Sequence, residues 1–471
     1  MATDAGPRSM SGALDRYFKI SERGSTLRTE LVAGVTTWMT MAYILFVNPS
    51  ILGALADPSG LKLDGGQVLI VTALVAGCMT ILMGVVANYP FAIAAGLGLN
   101  GFVAFTLVGA QGLSWPDAMG VIVIEGLVIL LLVITGFREA VLNAIPLDLK
   151  RAIGVGIGAF IAFIGLNTAG FAIRFPAENG PPVTISTDLD TLKFLVFFMG
   201  LVVTATLVAR KVKGALLIGI LGTTVFATIV NEIRNGKVFG DVVASVPDSW
   251  ASVPGGREFD LLGNFSVGGA FDQLGFIAAA VAIFAVMLAD FYDTMGTAVG
   301  LGEQAGFVDK DGRLPGIGRV LLVDSAAAAA GGAASSSSNT TYIESAAGIA
   351  EGGRTGLTAV VVGLLFLACL FISPIAGIIP PQATAPALVI VGYFMMTLVR
   401  DIDWQDAEIG IPALLTIVVQ PFTFNIANGV GAGFITYTAI KILKGKPGEV
   451  HPLMYVSTAA FMAYFIRGLI A

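Results

Sequence analysis

Apolar stretches of roughly 17–25 residues, each long enough to cross a bilayer as a helix, recur from Glu30 to the C-terminus of this 471-residue chain. Water offers no place for so many of them. With 56% apolar and only 12% charged residues, soluble domains are excluded. The chain reads as an all-α polytopic membrane protein of about 14 transmembrane segments. The formal charge of −6 is small for this length, and no basic patch with interleaved aromatics calls for a nucleic-acid partner. Cys78 and Cys369 both fall inside apolar runs, so no disulfide framework or cysteine metal site is indicated. A lone histidine, His451, rules out a histidine-based zinc centre. The polar N-terminus lacks the apolar run of a cleavable signal peptide.

One stretch breaks the pattern. Ser335–Gly356, SSSSNTTYIESAAGIAEGGRTG, sits among apolar segments yet makes a poor transmembrane helix. Polar backbone at membrane depth survives only where protein buries it or where it lines a water-filled cavity, and an ionisable group there, Glu344, marks a functional site. The β-favouring NTTYI followed by SAAGIA predicts a short extended piece feeding a half-helix. The stretch from Tyr89 to about 110 has the same character: a proline, an extended-looking piece, the GLGLN turn with Gly98 and Asn100, then a helix. Each is the third segment of its half. An odd number of spans per half inverts the halves across the membrane, and interrupted segments at matching positions are how carriers build a midplane site.

Positive charge sets the expected topology. Arg16, Lys19, Arg23 and Arg28 place residues 1–29 in the cytoplasm as a tail. A first repeat then covers 30–231, with a break expected at Asn48-Pro49. Arg138, Lys150 and Arg151 mark a cytoplasmic connection, with the stretch after Arg138 lying at the interface. The turn-rich stretch at about 170–190 should be external, and Arg210–Lys213 cytoplasmic. Residues 232–271 connect the repeats, and 272–471 form the second. There the DKDGRLPG turn and a helical Arg400–Glu408 are expected in the cytoplasm. A last apolar run, about 452–470 with Arg467, is long enough to span; the sequence leaves open whether it does.

Asp290 and Asp293 lie three apart on a predicted helix, about 60° separated in azimuth, so both can face one cavity. With Glu344 they offer groups that exchange a proton and accept N–H bonds from a polar solute. Glu125 and Asp324 each stand alone in an ordinary span and read as structural acids. Tyr342 offers a ring for stacking, though isolated aromatics more often pack the core. The serine run has neither a nearby histidine nor a nucleophile-elbow pattern, so the chain is not read as an enzyme. GLGLNG and GVGAGF have no Walker lysine after them, so the chain itself does not use ATP. No cofactor is expected beyond a coupling ion.

TTYIESAAG (Thr340–Gly348) resembles the TTY-x-E-N-x-G element of uracil permeases and nucleobase/ascorbate transporters, and DTMGTAVG (Asp293–Gly300) resembles their E-x-x-G-H element. In finer detail the chain resembles the AzgA-like purine permeases, through Glu22–Leu52, GLGLN, ADFYDTMGT and TTYIESAAGIAEGGRTGLTA. The likeness runs from about Glu22 to about Lys444. It implies two inverted seven-helix repeats, with two short antiparallel strands, from broken segments three and ten, meeting at the site. A core domain (about 30–136 and 272–375) would carry substrate against a gate domain (about 138–231 and 382–445). By position, Glu344 matches the family's substrate-binding glutamate and Asp293 its second acid. Tyr342 takes the aromatic position, and Asp290 and Asn100 belong to the purine variant. Two residues depart from the pattern: Thr297 replaces the histidine, and Ser345 the asparagine.

The substrate-binding set expected from this is Glu344, Asp293, Tyr342, Asn100 and Asp290, with Ser345, Thr297 and Gly98 beside them. Asp290, Asp293 or Glu344 would take the proton. The resemblance implies import of guanine, hypoxanthine or adenine by proton symport with alternating access, in the bacterial inner membrane and compatible with a homodimer. A sodium-coupled nucleobase carrier and a sulfate-type anion carrier are the alternatives; three carboxylates disfavour the anion.

Overall fold

A computed structural model describes residues 10–135, 145–173, 183–185, 191–240, 243–247, 249–308 and 314–470. Arg138 and most of the stretch after it, most of the DKDGRLPG turn and the side chain of Arg467 lie outside the described residues. Nine of the described helices are long and apolar enough to cross a membrane. With the shorter apolar helices, the described residues form fourteen consecutive segments plus a final helix.

The first half holds span one (Leu27–Leu52), span two (Gly65–Ala87), a broken segment three, span four (Trp115–Thr135), span five (Leu147–Thr168), span six (Thr191–Ala209) and span seven (Ala215–Ile233). The second holds span eight (Phe276–Gln304), span nine (Ile317–Ala333), a broken segment ten, span eleven (Gly356–Ile378), span twelve (Pro381–Asp401), span thirteen (Ala407–Thr423) and span fourteen (Ile426–Leu443). Side-chain oxygens start several of these helices. Thr26, Asp64, Asp406 and Asn425 each accept a first-turn backbone N–H, satisfying a donor that has no partner inside the helix.

The packing itself displays the inversion. Spans two and eleven pack together, as do spans four and nine; spans five and twelve pack on each other. Exchanging the halves maps two onto nine and four onto eleven, so the first two pairs interchange and the third maps onto itself. Small residues allow these approaches. Gly84 meets Gly356 and Gly77 meets Gly363 between spans two and eleven, and Gly158 meets Gly392 between five and twelve.

Each broken segment runs extended, then helical. Strand β1 (Ile93–Ala95) precedes the half-helix Leu97–Ala110, whose later part is π-helical. Two short strands, β2 (Ala172–Ile173) and β3 (Thr184–Ile185), pair in the connection after span five. Strand β4 (Asn339–Thr341) precedes the half-helix Ser345–Ala350. β1 and β4 pair antiparallel with Ala94 opposite Thr340, and Gly96 N–H to Ser338 O (2.8 Å) and Tyr342 N–H to Ala92 O (2.9 Å) extend the ladder.

Three local expectations change. The break in span one falls at Ala42–Tyr43, while Pro49 sits inside the helix Ile44–Leu52. A proline ring collides with the carbonyl four residues back, so the distortion appears N-terminal to it, where Leu45 and Phe46 N–H bond three residues back to Ala42 and Tyr43. Between Arg400 and Glu408 the chain is largely non-helical: Asp403 Oδ1 accepts the N–H of Gln405 (3.0 Å), a local turn that competes with helix. The last apolar run forms the helix Pro452–Ile470. It runs back along span fourteen, with Thr438 and Thr458 hydroxyls 2.9 Å apart and Phe434 edge-on to Phe461.

Candidate substrate site

The two strands meet at the centre of the bundle, and their ends, with spans one, eight and twelve, enclose a cavity of about 90 Å³. It is lined by Tyr43, the Gly96–Gly98 turn, Asp293, Thr297, residues 340–344 and, from span twelve, Val391 and Met395. Gly98, Asp293, Thr297, Ile343 and Met395 also line a larger cavity of about 410 Å³. That one continues to Lys150 and Thr397–Leu398, at the end of the bundle where span one begins, hereafter the near end. The site is therefore open toward the near end.

Glu344 stands at the N-cap of the half-helix that follows β4 in segment ten, and its Oε1 accepts the Tyr43 hydroxyl at 2.6 Å. Tyr43 reaches it from the bend in span one, so the break in that helix sets the phenol against the carboxylate. The Thr40 hydroxyl donates to the Glu344 carbonyl (3.3 Å). Asp293 stands exposed in the cavity, contacted by the Thr340 hydroxyl at 3.4 Å. Tyr342 forms part of the wall, and its hydroxyl donates to the Ala95 carbonyl, tying its ring to strand β1. Ile343, 54% exposed, presents an apolar face to both cavities. The arrangement is two carboxylates and a phenol around a slot with apolar walls. It suits a flat solute carrying several N–H donors.

Of the residues singled out from sequence, Glu344, Asp293, Tyr342, Thr297 and Gly98 come together at this cavity. Asn100, Ser345 and Asp290 are buried and line neither cavity. Ser345 Oγ accepts the Ala92 N–H (3.0 Å), holding the half-helix to β1. Asn100 is fully buried, and its side-chain oxygen and nitrogen have no hydrogen-bond partner among the described residues. Asp290 and Asp293 do not share the cavity. Asp293 opens into it, whereas Asp290 turns behind the strand toward Ser338 (3.0 Å). The sequence reading missed Tyr43, Thr340, Ile343 and Met395. Only Tyr43 carried a signal, a phenol just ahead of the proline of span one.

Two inverted halves, with their broken segments crossing at a carboxylate-lined cavity open to one end, define a membrane carrier. The chain belongs to the Permease family: the Xan_ur_permease family model matches residues 28–432. It is thus a permease and not an enzyme. Guanine/hypoxanthine permease PbuG of Bacillus subtilis (strain 168) is 40% identical over 453 residues, 96% of this chain and 99% of that protein. Adenine permease AdeQ of Escherichia coli (strain K12) is 39% identical, covering 96% of each. A putative permease of Methanocaldococcus jannaschii is 40% identical, covering 96% of this chain and 98% of that one. Among solved structures, the transmembrane domain of a cyanobacterium bicarbonate transporter, BicA, superposes with a TM-score of 0.61 at 14% identity, over 86% of this chain and 97% of that one. SLC26A9 gives 0.60 at 10% identity, over 88% and 65%. These likenesses concern the inverted-repeat fold.

Proposed function

We propose that this permease imports purine nucleobases of the guanine, hypoxanthine and adenine class by proton symport, alternating access between the two sides of the membrane. The observation that carries the reading is Glu344 beside Asp293 in a slot with apolar walls. Purine rings present N–H and exocyclic NH2 donors along their edges, and carboxylates only accept. Relatives named as guanine/hypoxanthine and adenine permeases, at up to 40% identity over nearly the whole chain, support the same substrate class. A bicarbonate-like anion, though carried on this fold by a distant neighbour, would meet two carboxylates here.

In this reading the near end is cytoplasmic. Arg16, Lys19, Arg23 and Arg28 precede span one, and Arg210, Lys211, Lys213, Lys441, Lys444 and Lys446 occupy the connections of the same side, the bias that orients polytopic proteins. The conformation is then inward-open, in a bacterial inner membrane. Spans one to four and eight to eleven act as the core that carries the base, and spans five to seven and twelve to fourteen as the gate it moves against.

Glu344→Gln tests the reading. It exchanges an acceptor for an amide that also donates, at nearly constant size. The expected result is loss of labelled hypoxanthine accumulation in proteoliposomes with insertion and thermal stability retained. Accumulation at the unaltered rate would refute the role of Glu344.

A further inference from the structure

We infer that Glu125 of span four and Asp290 of span eight form a proton-sharing carboxyl pair, separate from the purine cavity, that carries the coupled proton. This rests on the proton-symport reading above and assigns the proton to a place. Neither residue lines the cavity: Glu125 is 0% and Asp290 1% exposed. The Ser338 hydroxyl lies within reach of both carboxyl groups, so the two acids are neighbours across it. Two buried carboxylates this near repel each other, and a proton held by one of them removes that repulsion.

The surrounding hydroxyls lead to the same conclusion. Ser338 Oγ contacts both Asp290 Oδ2 (3.0 Å) and Glu125 Oε2 (3.4 Å), and Thr294 Oγ1 contacts both Asp324 Oδ2 (2.6 Å) and Asp290 Oδ1 (3.4 Å). Each hydroxyl has a single hydrogen and gives it to the nearer oxygen, so the farther acid of each trio is left without that donor, and a proton on it would let it donate to the hydroxyl in return. Glu125 Oε1, fully buried, receives no donor among the described residues. It is a polar atom that burial makes costly unless it carries or meets a proton.

The contacts also form a route. Thr341, on the cavity wall, donates to Asp324 Oδ1 from both its hydroxyl and its N–H, each at 2.8 Å. Asp324 meets Thr294, Thr294 meets Asp290, and Ser338 joins Asp290 to Glu125. A small void of about 10 Å³, lined in part by Asp290, Thr294, Asp324 and Ser325, lies along it, about enough for one water. Asp324 from span nine faces both the pair and Asp293, and Glu344 faces Asp293 and Tyr43 on the cavity side. Asp290 stands about 4.5 Å farther along span eight toward the far end than Asp293. The step is a simple protonation. A proton from water forms an O–H bond on one carboxylate of the pair, the substrate-loaded core moves, and the proton returns to water on the other side. Ser338 and Thr341 bound strand β4, so the charge state of the acids behind it bears on the strand that contacts the base.

Purified protein in proteoliposomes tests this with three readings: equilibrium hypoxanthine binding, proton entry on adding hypoxanthine, and accumulation driven by an inward pH gradient. The expected result for Glu125→Gln is retained binding with loss of both hypoxanthine-dependent proton entry and accumulation. Undiminished proton entry in that variant overturns the pair as the proton site. If the unaltered protein binds hypoxanthine but moves no proton, the symport reading itself has failed. Should Glu125→Gln not fold, Ser338→Ala removes only the bridging hydroxyl. It should shift the pH of half-maximal proton entry by about half a unit, about threefold in proton affinity, and an unshifted profile overturns the proposal equally.

Discussion

At the residue scale the site depends on how one carboxylate is held. Glu344 has a single phenolic donor, Tyr43, at 2.6 Å. A hydrogen bond to a charged group contributes about 1.5–3 kcal/mol, and here it fixes the carboxylate rotamer before the base arrives. Tyr43→Phe keeps the ring in the bend of span one and deletes only that donor. The expected outcome is about a tenfold rise in the KM for hypoxanthine, matching about 1.4 kcal/mol, with expression and melting unchanged. An unchanged KM would show that Glu344 is positioned by its backbone alone. Glu344 was legible in the sequence because a carboxylate in a polar, serine-rich stretch amid apolar spans is too costly to keep at membrane depth without a task. Tyr43 was not, because nothing in MAYILFVNP separates a phenol that reaches a carboxylate 301 positions away from one that fills the core. Asp290 and Asp293 illustrate a further limit. Azimuth puts them about 60° apart, but only the position of strand β4 decides that one enters the cavity and the other turns behind it.

At the element scale the broken segments were the most legible part of the fold. A β-favouring triplet followed by small residues cannot remain a lipid-facing helix, and both strands formed where the sequence placed extended pieces. Their pairing was not readable from propensity, since it joins residues 93–95 to 339–341. It was implied only by likeness to a family. Helix contacts were equally hidden, because a glycine in an apolar span signals close approach without naming its partner. Gly356 shows what the approach demands. A Cβ there would stand 1.9 Å from the Gly84 carbonyl oxygen, a backbone atom that cannot rotate away. Gly356→Ala must therefore push spans two and eleven apart, and overpacking of this kind costs about 1–3 kcal/mol. The detergent-purified protein should melt several degrees lower. Gly448→Ala, where an added Cβ meets nothing within 4 Å, should melt normally. Equal melting of the two variants would mean that the contact relaxes without cost.

At the scale of the whole molecule, the proposed alternating access has one group of spans move against the other, and in that proposal the half-helix of segment three, packed on span five, lies at their boundary. A Cβ on Gly98 would sit 2.4 Å from Ile157 Cγ2 and 3.8 Å from Ile157 Cβ on span five. The first distance explains the glycine, since any side chain there would push segment three away from span five. The second equals the usual Cβ–Cβ separation of a disulfide, about 3.8 Å. In a background with Cys78 and Cys369 replaced by serine, the pair Gly98→Cys and Ile157→Cys should cross-link under mild oxidant in the conformation open to the near end. A carrier that works by relative motion must then stop, because the bond fixes segment three to span five in one of its two positions. Reduction should restore whatever transport the double variant shows before oxidation, which separates locking from the side-chain changes themselves. Uptake that continues with the cross-link formed would mean that segment three and span five travel together, and the boundary between the moving groups would have to be redrawn elsewhere in the bundle.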